Sequence, residues 1–262
     1  MLRPGMKKSI YLVFLLCFPA CQNQSRSESD TDTGISTSPA SLDDEGWILL
    51  FDGSSFDHWR GYRAEEMPEG WLIQDGAMLI SEPGHGGDLV TRDRFQNFEF
   101  ELEWKVPDGG NSGIMFHVTE DYGSPWATGP EMQILDNDAF EGGALEKNSA
   151  GSNYDLHAPS VDTSKPAGEW NTIRLVVNGP SVEHWMNGTK IVQYELWSYE
   201  WRELVDGSKW VNHEDYGMRS EGHIALQGDH SPVAFRNIRL RRLPDTDLSD
   251  KNSPWNNSDK SP

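Results

Sequence analysis

Glu131 and Gln133 stand two residues apart in Glu131-Met132-Gln133-Ile134-Leu135, and on an extended backbone that spacing puts both side chains on one face. A carboxylate beside an amide supplies a general base and a group that orients a substrate hydroxyl. Met132 and Ile134 then point the other way, toward a core. Trp126, Gly129 and Pro130 just upstream suit a loop at the rim of a cleft, although the same pattern fits an ordinary solvated strand face. Asp136 has the opposite parity to Glu131, so it joins that face only through a bulge; otherwise it caps the strand end or the turn at Asn137-Asp138.

Proton transfer has further candidates. Asp229-His230, in the loop Gln227-Gly228-Asp229-His230-Ser231, sets an imidazole beside a carboxylate, a pair that gives or takes a proton near neutral pH. His117 lies two residues after Met115 near the end of an alternating run and can face the same cleft, or be a plain surface histidine. Arg236 either fixes a substrate oxygen or pairs with a carboxylate on its sheet. Glu183-His184 and Asp155-x-His157 are pairs that an acid-rich chain produces by chance. No tight His/Asp/Glu cluster has metal-site spacing, so no cofactor is required, and a structural or catalytic divalent cation stays open.

The elements that must position these groups read as strands. Phe98, Phe100, Leu102, Trp104 and Val106 share one parity, while Glu99, Glu101, Glu103 and Lys105 share the other: a half-buried strand with a solvated acidic face. Residues 170–178 repeat the pattern with Ile173, Leu175 and Val177 inward. Asn178-Gly179-Pro180 turns the chain into 181–186, where Trp185 alternates like a core residue, and Asn187-Gly188 is a hairpin signal leading into 190–194. Further strands are expected at 47–51, 71–74, 77–81, 88–91, 112–118, 131–135, 222–227 and 233–243, and helical spacing only at 195–205. About a dozen short strands with tight turns predict an all-β, two-sheet antiparallel sandwich or jelly roll.

Composition agrees. The chain has 262 residues, 11 Trp, 25 Gly and 15 Pro, which suits a turn-rich β domain and not a helical bundle. Forty-two Asp and Glu against 22 Lys and Arg make nucleic acid an unsuitable partner. The start reads as an address: Arg3, Lys7 and Lys8, then an apolar run over 10–18, then Phe18-Pro19-Ala20-Cys21. The run is too short to span a bilayer, and the ending resembles a bacterial lipoprotein signal with Cys21 as the lipidated residue; the alternative is an ordinary secretory signal with an incidental Cys. Removing 1–20 takes Cys17 away with three cations and no acid. The expected organisation is a signal at 1–20, a polar tether at 21–44, a folded domain at 45–243 and a polar tail at 244–262. The expected location is outside the cytoplasm, periplasmic or on the cell surface, touching membrane only through lipid.

Eight segments, in order, resemble the 3-keto-disaccharide hydrolase domain family of bacterial lipoproteins. They are Leu50-Phe51-Asp52-Gly53 with Trp59; Asn111-Ser112-Gly113-Ile114; residues 129–136, which contain Glu131 and Gln133; Tyr154-Asp155-Leu156 with Ala158-Pro159; residues 165–171; residues 182–188; Ile224-Ala225-Leu226-Gln227; and Phe235-Arg236-Asn237-Ile238. The match covers roughly 45–243. The resemblance implies a concanavalin-like jelly roll acting on sugars whose C3 hydroxyl has been oxidised, hence a functional link to a sugar 3-oxidoreductase. A C3 ketone acidifies the C2 proton. A base removes it, a donor stabilises the enolate, and the C1 oxygen leaves with a proton; water addition completes hydrolysis. Each acid or base role is worth about 10²–10⁴ in rate.

On that reading Glu131, Gln133, His117 and His230 are the catalytic candidates. Asn111, Trp126, Tyr154, Gln227, Asp229 and Arg236 are the substrate-binding ones. Tyr154 offers a phenol, and Trp126 or Trp185 a plate for a sugar ring; Asn111, after Gly109-Gly110, is equally a turn residue. Two other classes stay open. One is a conventional glycosidase of laminarinase type, which needs two carboxylates flanking the bond, whereas Glu131 and Asp136 differ in parity and lie about 16 Å apart along a strand. The other is a non-catalytic carbohydrate-binding module, for which aromatics suffice.

Overall fold

A computed structural model describes residues 43, 45–80 and 86–245. Cys21, the leader at 1–20, the tether up to residue 42, Ser81 and the tail beyond residue 245 lie outside the described residues. Along the chain run β1 (Trp47–Phe51), β2 (Trp59–Gly61), β3 (Trp71–Gln74), β4 (Ala77–Ile80), β5 (Leu89–Thr91), β6 (Phe98–Lys105) and β7 (Asn111–Val118). They are followed by β8 (Glu131–Leu135), β9 (Asn171–Asn178), β10 (Ser181–Met186), β11 (Thr189–Glu195), α1 (Tyr199–Asp206), β12 (His223–Leu226) and β13 (Val233–Arg242). The helix starts four residues later than its spacing predicts. β11 holds the chain extended through Glu195, and the Ser198 side chain then caps α1 by accepting from Trp201 N at 3.0 Å.

The strands form two antiparallel sheets. The larger has the order β11-β10-β9-β6-β13-β4-β3, and β1 pairs with the far half of the ten-residue β13. The smaller has the order β2-β5-β12-β7-β8. Alternation fixes which residues meet between them: Phe98, Phe100, Leu102 and Trp104 are buried, and Phe98 stands edge-on to Phe116 of the smaller sheet at 6.4 Å. Each such side chain removed from water contributes about 1.5–3 kcal/mol.

The other parity of β6 is the acidic face, and β13 answers it. Glu99, Glu101 and Glu103 pair in turn with Arg241, Arg239 and Arg236. These pairs are partly exposed, so each is worth about 0–1 kcal/mol. Arg236 is thereby removed from the substrate-binding candidates. Its guanidinium gives two hydrogen bonds to Glu103 Oε2, at 2.9 and 2.7 Å, and lies over the Trp170 ring on the outer face of the larger sheet. Trp185 is corrected too. Its partner across the sheet is Arg174, which alternates out of phase with the inward Ile173 and Leu175, so Trp185 faces outward with Arg174 stacked on its ring at 4.2 Å. His184 is the buried member of that pair.

One face of the smaller sheet packs on the larger sheet, Phe116 against Phe98; on the other, Gly129 lies against Met115 and Val118. Its edge strand β8 does not end in open hydrogen-bonding groups. Gln133 N donates to Ser152 O, Gly151 N to Gln133 O, and Tyr154 N to Glu131 O, which also tie the 149–154 segment to the strand that carries the candidate base.

Candidate active site

β7 and β8 pair with Met115 opposite Glu131 and Gly113 opposite Gln133. Asn111, Gly113 and Met115 therefore share the outer face of the smaller sheet with Glu131 and Gln133, while Ile114, Met132 and Ile134 enter the core. A cleft of about 280 Å³ opens on that face. Asn111, Glu131, Gln133 and Gln227 form its floor, with Trp126, Tyr154, Lys209, Trp210, His213 and His230 around it.

Glu131 is 5% exposed. Burial pushes its carboxyl up to about 8; the charge of Lys209 pulls against that, and Asp88 and Asp229 add to it. The Gln133 amide, turned so that its nitrogen faces acceptors, donates to Glu131 Oε1 at 3.0 Å and to Ser112 O at 3.1 Å. The carboxyl thus has a fixed orientation and holds its proton up to about pH 8, so its share as a base grows as the pH rises toward that value.

The loop carrying His230 is pinned at both ends. Ser231 Oγ accepts from Asn111 N at 2.7 Å and donates to Asn111 O at 2.8 Å, and Gly228 N donates to Asp88 Oδ1 at 3.0 Å. Burial raises Asp88 to about 6, with Gly228 N opposing and Asp229 reinforcing. Asp229 Oδ1 and His230 Nδ1 are hydrogen-bonded to each other, which leaves Nε2 as the ring nitrogen not engaged by Asp229. Gln227 is held from behind, its N–H on Gly113 O at 2.9 Å.

The aromatic wall is layered. Trp126 and Trp210 lie 6.1 Å apart, with His213 edge-on to both and Tyr154 edge-on to Trp210. Behind Trp210, Tyr216 stacks at 4.4 Å, then Trp201 of α1, Tyr194 and His157, in near-parallel planes. The helix α1 is therefore a buttress for the wall of the cleft.

His117 is not in the cleft. From β12 to β7 the register runs His223 to Val118 and Ala225 to Met115, so β7 carries one extra residue there. His117 takes it up at φ 53°, and the bulge turns the ring to the other side. It sits edge-on to Phe98 and Phe116, 2% exposed, its Nε2 2.8 Å from Gln96 O. Burial lowers its pKa to about 4, so it is neutral at working pH. Asp136 likewise turns away from Glu131: its Oδ2 accepts from Gly109 N at 2.9 Å. Among the described residues, no three His, Cys, Asp or Glu side chains converge as a group that could hold a metal ion.

Residues 46–241 match the family described as the 3-keto-alpha-glucoside-1,2-lyase-like domain. The chain belongs to that family. It is 34% identical over 232 residues to a 3-keto-disaccharide hydrolase of Bacteroides thetaiotaomicron, a match covering 77% of this chain and 80% of that protein. Two crystal structures from Parabacteroides distasonis, both described as glycosyl hydrolases, superpose on it. One has a TM-score of 0.71 at 33% identity, over 76% of this chain and 95% of the other. The second has a TM-score of 0.62 at 25% identity, over 75% and 99%. As a member of the lyase-like family, the protein is a glycoside-cleaving enzyme.

Sequence reasoning missed four residues around the cleft of this lyase-like domain: Asp88, Lys209, Trp210 and His213. Three come from one turn at Lys209–Asn212 and its C-cap, which has no hydrophobic period to mark it. The usable signal was Ser208 ahead of Lys209-Trp210, a capping residue before a lone aromatic; its side chain accepts from Trp210 N at 3.1 Å.

Proposed function

We propose that the enzyme cleaves glycosides whose C3 hydroxyl has been oxidised to a ketone, by removing the C2 proton with Glu131, expelling the C1 oxygen and hydrating the product. The single observation that supports this most is the Glu131 carboxyl: buried, oriented by Gln133, and raised to about 8 at the floor of an aromatic-walled cleft. An isolated base suits abstraction of a proton made acidic by a neighbouring ketone. A conventional glycosidase needs a second carboxyl flanking the bond, and among the described cleft-lining residues Glu131 is the only carboxylic acid. A binding module gains nothing from burying an acid, which costs free energy once ionised.

Trp126, the exposed ring of the wall, offers a face for the sugar, Asn111, Gln133 and Gln227 amides for its hydroxyls, and His230, polarised by Asp229, a proton for the departing oxygen. The proposal sets the enzyme outside the cytoplasm on a lipid at Cys21, fed by an oxidoreductase that makes the 3-keto sugar; the order of basic, apolar and Cys residues over 1–21 supports the first part.

The test pairs a 3-keto glucoside with its parent glucoside and follows the aglycone. Release from the oxidised sugar alone is expected. Release from both makes the protein a conventional glycosidase, and binding without release makes it a module.

A further inference from the structure

Removing a proton beside a ketone builds a full negative charge on the ketone oxygen. In this cleft that charge would form near the Glu131 carboxyl, with Asp88 and Asp229 close enough to act on it electrostatically. The formal net charge of the chain is -20. Such a site needs a cation at the oxygen, because preorganised positive charge is what lowers the barrier to an oxyanion.

Among the described lining residues, Lys209 is the one Lys or Arg. Its surroundings differ from those of the cations on the larger sheet, which are tied to carboxylates. Among the described residues Lys209 Nζ has no ion pair. It lies 3.9 Å from the Tyr154 ring centroid and 4.4 Å from that of Trp210. Two ring faces hold an ammonium by its charge without consuming its N–H directions. The backbone is fixed as well: Lys209 N donates to Asp155 Oδ2 at 3.0 Å, and Trp210 is braced by the stack behind it. The carboxylate of Asp155 accepts at the backbone and leaves the side chain free.

We infer that Lys209 is a catalytic residue, its ammonium donating a hydrogen bond to the C3 oxygen of the bound sugar and holding the charge that gathers there. This rests on the keto-sugar reading. The steps balance: the C2–H pair becomes a C2–C3 double bond as the proton passes to Glu131, and the carbonyl pair moves onto oxygen beside the ammonium. That pair then returns to remake the ketone, C1 and C2 become doubly bonded, and the C1–O pair leaves with a proton. Lys209 keeps its protons throughout and forms no bond to carbon.

The experiment compares wild type with Lys209→Met and Lys209→Arg on a 3-keto glucoside in deuterated water. It reads C2 hydrogen exchange by NMR, aglycone release, and affinity for the unreactive parent glucoside by calorimetry. Lys209→Met, which keeps the aliphatic stem on the rings, is expected to slow exchange and release together by about a hundredfold or more while the parent glucoside binds as before. Lys209→Arg is expected to recover part of both rates. Exchange at the wild-type rate in Lys209→Met overturns the inference, as does an equal loss of affinity for the parent glucoside. A sugar adduct trapped on Lys209 by borohydride also overturns it, since the amine would then be forming an imine. If wild type neither exchanges nor releases, the keto-sugar reading itself has failed and takes this role with it.

Discussion

The Glu131 carboxyl fills the space that a side chain on Gly113 would need. A β-carbon on Gly113 would lie 2.0 Å from Glu131 Oε1 and 2.7 Å from its Cδ. The strand opposite the base is thus bare at the one position where the carboxyl lies down on it. Gly113→Ala is expected to push the carboxyl out of place, since a side-chain end moves more easily than a strand. Turnover should fall about tenfold to a hundredfold, toward the deficit of a lost base, with little change in melting temperature. Unaltered turnover would show that the carboxyl's position on Gly113 does not matter.

Glu131→Gln should lower turnover at least about a hundredfold with little change in melting temperature. In wild type the rate should climb with pH through an inflection near 8, where the buried carboxyl gives up its proton. The same shift affects stability with a definite sign. The unfolded chain releases this proton near 4.5 and the folded one near 8, so the folded state holds more protons between them and stability falls as pH rises across that window. Asp88 has the same sign but is spent by about 6. His117, His157 and His184, lowered to about 4 from 6.5 by burial, act in the opposite direction and only below 6.5. Chemical denaturation between pH 6.5 and 8 should therefore show a decline in wild type that is shallower in Glu131→Gln.

His117→Ala should separate structure from chemistry. It empties the space between Phe98 and Phe116 and strands the Gln96 carbonyl, at a cost on the order of 2 kcal/mol or more. The kcat of the folded variant should match wild type. A catalytic deficit beyond the unfolded fraction, measured by active-site titration, would return His117 to the mechanism.

Trp126→Ala should raise KM more than it lowers kcat, because its ring offers apolar binding surface in the wall of the cleft and carries no proton for the reaction. A tenfold change corresponds to about 1.4 kcal/mol, the scale of a single stacking contact. A loss confined to kcat would instead place Trp126 beside the reacting atoms.

Much of this was legible beforehand. The alternation in β6, the hairpin at Asn187-Gly188 and the shared face of Glu131 and Gln133 are local consequences of an extended backbone, and all three appear in the fold. Arg236 was legible only as an alternative: the chain shows that it sits on a strand, not which carboxylate faces it. His117 was misleading because one extra residue in β7 reverses the parity of everything after it, and a bulge is a property of two paired strands. Lys209, Trp210 and His213 were invisible for another reason. They belong to a short turn whose contribution comes from where α1 and the aromatic stack set it down.

The amino-acid sequence by itself determined the sandwich, its strands and the face that carries the carboxyl and amide, because side-chain alternation is written residue by residue. Only the tertiary structure decided which groups converge on that face. Convergence requires β7, β8, the turn at Lys209–Asn212 and the loop at His230 to meet, and their separation along the chain leaves no local trace of the meeting. The shift of Glu131 belongs to the same class: a carboxyl's proton affinity is set by the water and charge that the fold leaves around it.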